Sequence, residues 1–453
     1  MNLIIPDVEK RLQERYQQLV QEHLGQAHPG ASGPRLLPDE PSAKAAAQAA
    51  WRFYANPRTT FTRLAQPLLE AGCDAAARHC QDFALVPLDW SWLAYNHHPS
   101  KADRIAGPNG VLGYKLLSAL LLCDRDGQPL APLAAQLQTA RGLLSSRFDR
   151  PRPPRSALDG LAPVMGFVRG LPLGQRPVFI IDAEADSVFH FRLWQRRGSL
   201  FLVRVDDDRC VRLGGQEGPD LPLPAVARRL RRQGAFRRVR AVEYEGRTVG
   251  QYVAEAAVTL DRPAWLNRVV DGQRKRLWIS GVALDLRLVV TELRDRRGRV
   301  LERWYLLTNV PPEVGAATIA LWYYWRWKIE TFFKLLKSAG QQLEHWQQDD
   351  GCTILKRLLV AGMACVLAWR LGHSRAPQAA AARRLVMSLS GRQLEHGREY
   401  TLEGLLAGTW VLLAMAALLQ QLPAGRIRAL ADFVLNGSPE PGSEATVPLR
   451  EAG

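Results

Sequence analysis

Apolar and polar positions divide the chain into blocks of different period. Residues 1–80 show the spacing of amphipathic helices. From residue 82 the pattern changes to short apolar runs bounded by turn residues, at 83–88 and 114–123, which predict buried strands. Strand-like segments continue through about 206–310, and helical spacing returns from about 315 onwards. This order predicts an α/β core that is interrupted by a β-rich insertion and flanked by helical regions.

The same blocks predict three domains, which agrees with the length of 453 residues at roughly 150 residues per domain. A helical N-terminal domain is expected at 1–80 and a core domain at 81–345, with the β-rich insertion at about 206–310 inside it. A helical C-terminal region is expected at 346–453.

Charge narrows the class of partner. The chain carries 60 Lys and Arg against 44 Asp and Glu, a formal net charge of +16. An excess of this size indicates a polyanionic partner, and nucleic acid is the leading candidate. The hydrophobic content of 47% excludes a wholly disordered or fibrous chain.

Cysteine usage and the apolar runs bear on the compartment. The six cysteines include no CxxC pair, and His79 beside Cys80, the nearest approach to a zinc pattern, is interpreted as incidental. Scattered thiols indicate a reducing compartment. The charged N-terminal segment predicts that there is no signal peptide, and the uncharged run at 404–421 is expected to be a buried helix. We therefore expect a cytoplasmic protein without a membrane partner.

Two acidic residues follow buried strands, at the position where α/β sheets place ligand sites. Asp89 follows the run at 83–88, and Asp182 follows the run at 177–181. Glu184 and Asp186 are close competitors for the second position, and Asp182 is preferred because the strand ends there.

The helix predicted after residue 315 supplies a third acid. At 100° per residue, Tyr323, Arg326, Glu330 and Lys337 share one stripe of roughly 60°. A carboxylate flanked by a phenol, a guanidinium and an ammonium on one face suits a metal ion together with phosphate oxygens.

These four residues, spaced Y-x2-R-x3-E-x6-K, resemble the signature of a branch of bacterial insertion-sequence transposases. Those are the cut-and-paste enzymes of the DDE, RNase H-like superfamily. Three other segments resemble the family in the same order: WRFYANPR at 51–58, LDWSWLAY at 88–95 and IDAEAD at 181–186. The resemblance covers roughly 45–345. It implies an RNase H-like mixed sheet with helices, and a DNA transposase that cleaves transposon ends and transfers them into target DNA.

The resemblance also assigns roles to residues. Asp89, Asp182 and Glu330 would be the catalytic triad that binds two Mg²⁺ ions, for which Mn²⁺ could substitute, with Asp89 bridging both ions. Trp304 lies where hairpin-forming relatives carry a tryptophan that stacks on a flipped base, so a hairpin intermediate is one route. The residues expected to contact DNA are Tyr323, Arg326, Lys337, Lys334, Trp304, Arg52 and Arg58.

The implied partners are double-stranded DNA, as terminal inverted repeats and as target, and a second copy of the chain in a synaptic homodimer. The location implied is the bacterial cytoplasm, with the protein on the nucleoid when DNA is bound. Trp90 and Ser91 stand where the family has threonines, and Ala183 stands where it has an arginine. Two alternatives stay open: a domesticated descendant that binds DNA without cutting it, and a standalone RNase H-like nuclease.

Overall fold

A computed structural model describes residues 3–24, 40–214, 218–270, 273–339, 341–394 and 399–436. Its helices are α1 Lys10–Leu24, α2 Glu40–Ala55, α3 Phe61–His79, α4 Ala157–Arg169, α5 Val188–Arg196, α6 Leu223–Arg232, α7 Ala316–Trp325, α8 Lys328–Lys334, α9 Gly351–His373, α10 Ala379–Leu389, α11 Leu402–Gln421 and α12 Ala424–Asn436. Its strands are β1 Phe83–Ala94, β2 Ile105–Ala106, β3 Leu112–Cys123, β4 Pro129–Thr139, β5 Gly142–Ser145, β6 Phe148–Arg152, β7 Arg176–Ile181, β8 Leu200–Val205, β9 Cys210–Leu213, β10 Leu221–Pro222, β11 Arg237–Tyr244, β12 Arg247–Leu260, β13 Ala264–Val270, β14 Gln273–Ile279, β15 Leu284–Arg294 and β16 Val300–Thr308.

Fourteen strands form one mixed sheet. Its main path runs β10-β9-β12-β15-β16-β8-β7-β1-β3-β4-β5-β6, with β11 paired to β12 and β2 paired to β3. The strands β1, β7 and β8 are parallel neighbours, whereas the other pairs are antiparallel. The hairpin β13–β14 stands apart from this sheet. The prediction of an α/β protein with a mixed sheet and flanking helices is confirmed.

Alternation along the strands gives the sheet two apolar faces. In β1, Phe83 and Leu85 join one buried cluster and Ala84 and Val86 the other, since successive side chains point to opposite sides. Helices α1, α2, α7, α8, α9 and most of α3 cover the first face, and α4, α5 and α6 cover the second. The sheet therefore lies between two layers of helices, and its strand ends form the edges on which a site can be built.

The strands expected as an insertion extend the central sheet instead of forming a sheet of their own. β16 pairs with β8, and β15 and β12 continue outwards from it. This segment also contains one helix, α6, which carries part of the arginine run at 228–240. After β16 returns beside β8, the chain enters α7, which packs over β12 and β15 and reaches β1 through Trp322 against Phe83.

The run at 404–421 differs from the expectation of a buried helix. Among the described residues, two helical stretches are long and apolar enough to span a membrane by length and composition, Gly351–His373 and Leu402–Gln420. The first is 89% buried within the protein because it packs against α1, α3 and β4, whereas the second is only 24% buried. Leu405 and Leu406 near its start are covered, but Met415 and Leu419 are exposed because no described element packs over them.

A substitution of Gly127, in the turn between β3 and β4, tests the close contact between this turn and the end of α7. Its φ is +67°, and a Cβ there would overlap the indole of Trp325, the last residue of α7. Gly174 has a φ of +79° with open space around it, so it supplies a control for backbone strain alone. Gly174→Ala should cost about 1–2 kcal/mol of unfolding free energy. Gly127→Ala should cost clearly more in urea unfolding, and equal losses would contradict the contact with Trp325.

Candidate active site

The first acid lies where parallel pairing stops. β1 and β7 pair up to the register Leu88–Ile181, and Asp89 is the next residue of β1, opposite Ser118 of β3. The prediction that the strand ends at Asp89 is wrong, because β1 continues to Ala94 along β3. Asp89 nevertheless stands at the edge of the parallel pair, where its carboxylate accepts a hydrogen bond from the Trp90 amide at 2.8 Å.

The second acid follows β7 directly, as predicted. Asp182 begins a short helical turn, and its Oδ1 accepts the Ala183 amide at 2.7 Å. The Tyr323 hydroxyl donates to the same oxygen at 3.1 Å. Since β1 and β7 are adjacent and parallel, residues 89 and 182 are brought to one edge of the sheet.

The helix bearing the third acid is broken, which changes the predicted stripe. α7 ends at Trp325, Arg326 lies in the turn that follows, and α8 begins at Lys328. The last turn, Leu335–Ala339, is π-helical, so 100° per residue does not hold as far as Lys337. The regular stripe is therefore wrong at its far end.

Lys337 consequently lies away from the three acids. Its Nζ donates to the carbonyl oxygen of Trp92 and lies 3.4 Å from Glu344 Oε1. Both contacts hold the lysine near the end of β1, along the sheet edge from Asp89.

Arg326 joins the three acids. Its Nη1 lies 3.0 Å from Asp89 Oδ2, and its Nη2 lies 3.0 Å from Asp182 Oδ2 and 2.8 Å from Glu330 Oε1. The Arg326 side chain is only 3% exposed, whereas those of Asp89, Asp182 and Glu330 are 18%, 31% and 36% exposed. We call these four residues the carboxylate cluster. One buried cation thus contacts three carboxylates that open towards solvent and offsets part of their charge.

Electrostatics in the cluster reflect burial and crowding of like charges. Burial raises the pKa of Asp89 to about 6, with Glu330 and Asp182 adding to the rise and Arg326 opposing it. Burial lowers the pKa of Arg326, but the surrounding acids outweigh it and leave that pKa above the usual range. Burial also raises the pKa of Tyr323, which keeps its hydroxyl protonated as a donor.

The donor set of the cluster suits a hard cation, since Mg²⁺ prefers carboxylate oxygens. The present spacing accommodates a guanidinium: within the described ranges, Asp89, Asp182 and Glu330 do not bring one oxygen each within 4.8 Å of one another. The Nε of Arg326 is buried without a hydrogen-bond acceptor. The cluster therefore has the ligands for a divalent ion, and its centre is occupied by an arginine side chain.

The two competitors for the second acid lie elsewhere. Asp186 accepts a 2.7 Å hydrogen bond from Arg209 and another from the Asp206 amide at 3.1 Å, and its side chain is 3% exposed. These contacts tie the loop after β7 to the loop after β8. Glu184 is exposed on the short turn that follows Asp182.

The remaining predicted DNA contacts are dispersed. Trp304 on β16 is 4% exposed and packs edge-on against Tyr323 at 5.3 Å, so base stacking requires its indole to be uncovered. Lys334 is exposed on α8. Arg52 is exposed near the end of α2, and Arg58 forms an ion pair with Glu9 near the start of α1. Their contacts with DNA remain predictions.

Arg204 is a site residue that the sequence analysis missed. It lies on β8 with a side chain 40% exposed, and its Nε is 3.9 Å from Asp182 Oδ1. The available signal was a single charged residue inside the apolar run LFLVRV at 200–205. An arginine in this place, beside the cluster and open to solvent, can bind a phosphate next to the acids.

Comparison with known proteins gives a distant structural match. No protein-family model and no curated protein matches the chain. Among solved structures, the chain is similar to one described as the cryo-EM structure of a piggyBac transposase synaptic complex with hairpin DNA. The identity is 11% and the TM-score is 0.39, with 97% of this chain and 79% of that chain covered. A match at this level assigns no family, so the case for function depends on the carboxylate cluster.

The raised pKa of Asp89 predicts a pH signature. Between its ordinary value of 3.8 and about 6, Asp89 binds more protons in the folded state than in the unfolded state, so stability falls as pH rises through this window. Asp89→Asn removes that dependence, and its stability relative to the natural protein should increase by about 2–3 kcal/mol from pH 4 to pH 7. Urea unfolding across this range measures the difference, with Glu184→Gln as the charge control. Parallel profiles for the natural protein and Asp89→Asn would contradict the assignment.

Proposed function

We propose that this chain is a DDE-type DNA transposase of the bacterial insertion-sequence branch, which cleaves transposon ends and joins them to target DNA. One observation carries the proposal: three carboxylates from β1, from the end of β7 and from α8 converge on one point. Carboxylates from two adjacent parallel strands that meet a helix-borne glutamate suit phosphodiester hydrolysis and transesterification. The net charge of +16 supports DNA as the substrate.

An RNase H-like core is part of the proposal. Its support is the five-strand centre of the sheet, β4-β3-β1-β7-β8, in which β3 runs antiparallel to its neighbours and β1, β7 and β8 are parallel. The acids occur in the order strand, strand, helix, which agrees with the order of the resembling family. The strands between β8 and β16 are the proposed insertion.

Asp89, Asp182 and Glu330 would hold two Mg²⁺ ions, or Mn²⁺ in their place. Such ions activate the attacking oxygen and stabilise the leaving oxygen. The role of the protein is to deliver ionised carboxylates at one place. The Tyr323 hydroxyl orients Asp182 by donating to its Oδ1, and the Trp90 amide orients Asp89 in the same way.

Arg326 serves as the resident counter-ion of the cluster. Three carboxylates at this separation repel one another, and the buried guanidinium offsets that repulsion while no ion is bound. Because Nη1 and Nη2 lie between the acids, the Arg326 side chain would have to move away for these carboxylates to hold divalent ions. Its guanidinium would then be available for a DNA phosphate, which is the contact expected from the sequence.

DNA would enter along the edge of the sheet that carries the cluster. Arg204 beside Asp182, Lys337 near the end of β1 and exposed Lys334 on α8 provide positive charge along that edge. Exposed Arg52 and Arg58 provide further charge on the N-terminal helices. Phosphate contacts of this kind position the duplex without reading its sequence.

A synaptic homodimer completes the proposal. Its support is the apolar surface of α11 and α12, because contiguous exposed apolar side chains mark interaction sites. Six large apolar side chains there are about half exposed or more: Met415, Leu419, Leu430, Phe433, Val434 and Leu435.

The catalytic assignment is tested by nicking of DNA that contains the element's ends, taken from the DNA that flanks the coding region. In Mg²⁺, Glu330→Gln should lower the nicking rate by about 10²–10³, as expected for loss of one group that acts in the transition state. Glu184→Gln, which removes an exposed acid two residues from Asp182, should leave the rate unchanged. Equal nicking rates for the natural protein and Glu330→Gln would refute the catalytic role of Glu330, and DNA binding without nicking by the natural protein would favour a DNA-binding descendant. Nicking without strand joining would favour a standalone nuclease.

The counter-ion role of Arg326 is tested by Mn²⁺ binding to the DNA-free protein, followed by electron paramagnetic resonance. Arg326→Gln leaves the carboxylates without a cation, so metal-free stability should fall by about 3–5 kcal/mol. Its Mn²⁺ affinity should rise at least about tenfold, because no arginine has to be displaced. Arg204→Gln, whose guanidinium lies outside the cluster, is the matched control. Unchanged Mn²⁺ affinity in Arg326→Gln would show that the guanidinium does not compete with the ion.

A further inference from the structure

A second group of metal-ligand side chains lies near the opposite end of β1 from the carboxylate cluster. Cys80 follows α3, Cys123 is the last residue of β3, and Asp124 begins the turn to β4. One ligand atom from each lies within 4.8 Å of the other two, the one such group among the described residues. Register explains the meeting, since Cys123 pairs with Ala84 of β1, shortly after Cys80 in the chain.

We propose that Cys80, Cys123 and Asp124 bind a soft divalent cation of the Zn²⁺ type. Thiolate and carboxylate donors are ordinary zinc ligands, and two sulfurs on a tetrahedral zinc lie roughly 3.8 Å apart, given Zn–S bonds near 2.3 Å. The donors are therefore already within about 1 Å of a binding arrangement. Three protein ligands leave the fourth position to water.

The surroundings of the ligands support a bound ion. The Arg125 amide points at Cys123 Sγ from 3.4 Å, which favours a thiolate. Asp124 Oδ1 accepts the Gln81 amide at 2.8 Å, and Oδ2 accepts the amides of Asp82 and Phe83 at 3.0 and 2.9 Å. Outer hydrogen bonds of this kind are typical of ligating carboxylates because they fix the orientation of the oxygens. Oδ1 keeps a lone pair for the metal.

Charge also fits an anionic complex. Two thiolates and a carboxylate around Zn²⁺ leave one net negative charge, which nearby guanidinium groups stabilise. A cleft that reaches Cys123 is lined by four arginines, Arg78, Arg125, Arg370 and Arg375, and by one carboxylate, Asp126. The ion would fasten the segment between α3 and β1 to the turn between β3 and β4, and so attach the N-terminal helices to the sheet.

The test is Co²⁺ titration of the reduced, metal-free full-length chain. We expect one equivalent to produce a thiolate-to-cobalt charge-transfer band and the visible bands of tetrahedral cobalt, both abolished by Zn²⁺. Cys80→Ser and Cys123→Ser should lose the charge-transfer band, and Asp124→Asn should weaken binding by about tenfold or more. Cys73 lies in α3, the helix that Cys80 follows, and Cys73→Ser should keep the charge-transfer band. Co²⁺ bound by the three acids near Arg326 gives no thiolate band, so the two sites are distinguished.

A second measurement needs no substitution and covers variants that fail to fold. Zn²⁺ should protect Cys80 and Cys123 of the natural chain from alkylation by N-ethylmaleimide, as read by mass spectrometry with Cys73 as the internal reference. Three results would overturn the proposal: no charge-transfer band in the folded reduced protein, a band that survives both cysteine substitutions, or alkylation that Zn²⁺ does not slow. If Cys80 and Cys123 form a disulfide and the reduced protein binds no Co²⁺, the two cysteines are a redox pair and the metal site is refuted.

Discussion

The ion pairs of Arg326 with three acids are the interaction on which the carboxylate cluster depends. Asp89, Asp182 and Glu330 come from separate elements, and their mutual repulsion in a partly buried place opposes the packing of α8 on β1. One guanidinium within 3.0 Å of all three offsets part of that repulsion. The break between α7 and α8 places Arg326 in a turn, from which its side chain reaches Asp89 in β1, Asp182 after β7 and Glu330 in the first turn of α8.

The sheet brings these parts together despite long separations in the chain. β16 lies next to β8, so the segment that leaves the core after β8 returns at the same edge, and α7 then runs from β12 and β15 towards Phe83 at the start of β1. Trp325 seated on the β3–β4 turn and Trp322 against Phe83 hold α7 across the sheet. The carboxylate cluster is thus a consequence of strand order, and added strands beyond β16 do not disturb it.

The start and the middle of β1 carry different ligand chemistry. Hard carboxylate oxygens gather beyond the parallel pairing of β1 with β7, whereas sulfur donors gather where β1 begins. The first set suits ions that exchange with phosphate oxygens, and the second suits an ion held for structure. Asp89 lies within β1, and Cys123 pairs with Ala84 near the start of the same strand, so residues 84–89 connect the two groups.

The local pattern of residues by itself predicted strands with flanking helices, the end of β7 before Asp182, and Asp89, Asp182 and Glu330 as candidate acids. These predictions follow from the period of apolar residues and from the positions where apolar runs end, which are local properties of the sequence. Only the tertiary structure decided that Arg326 pairs with the acids, that Lys337 turns away, that Trp304 is covered and that α11 is exposed. The tertiary structure alone also brought Cys80 close to Cys123. Such contacts depend on how distant elements pack and on the break between α7 and α8. Neither can be predicted from a regular helical period.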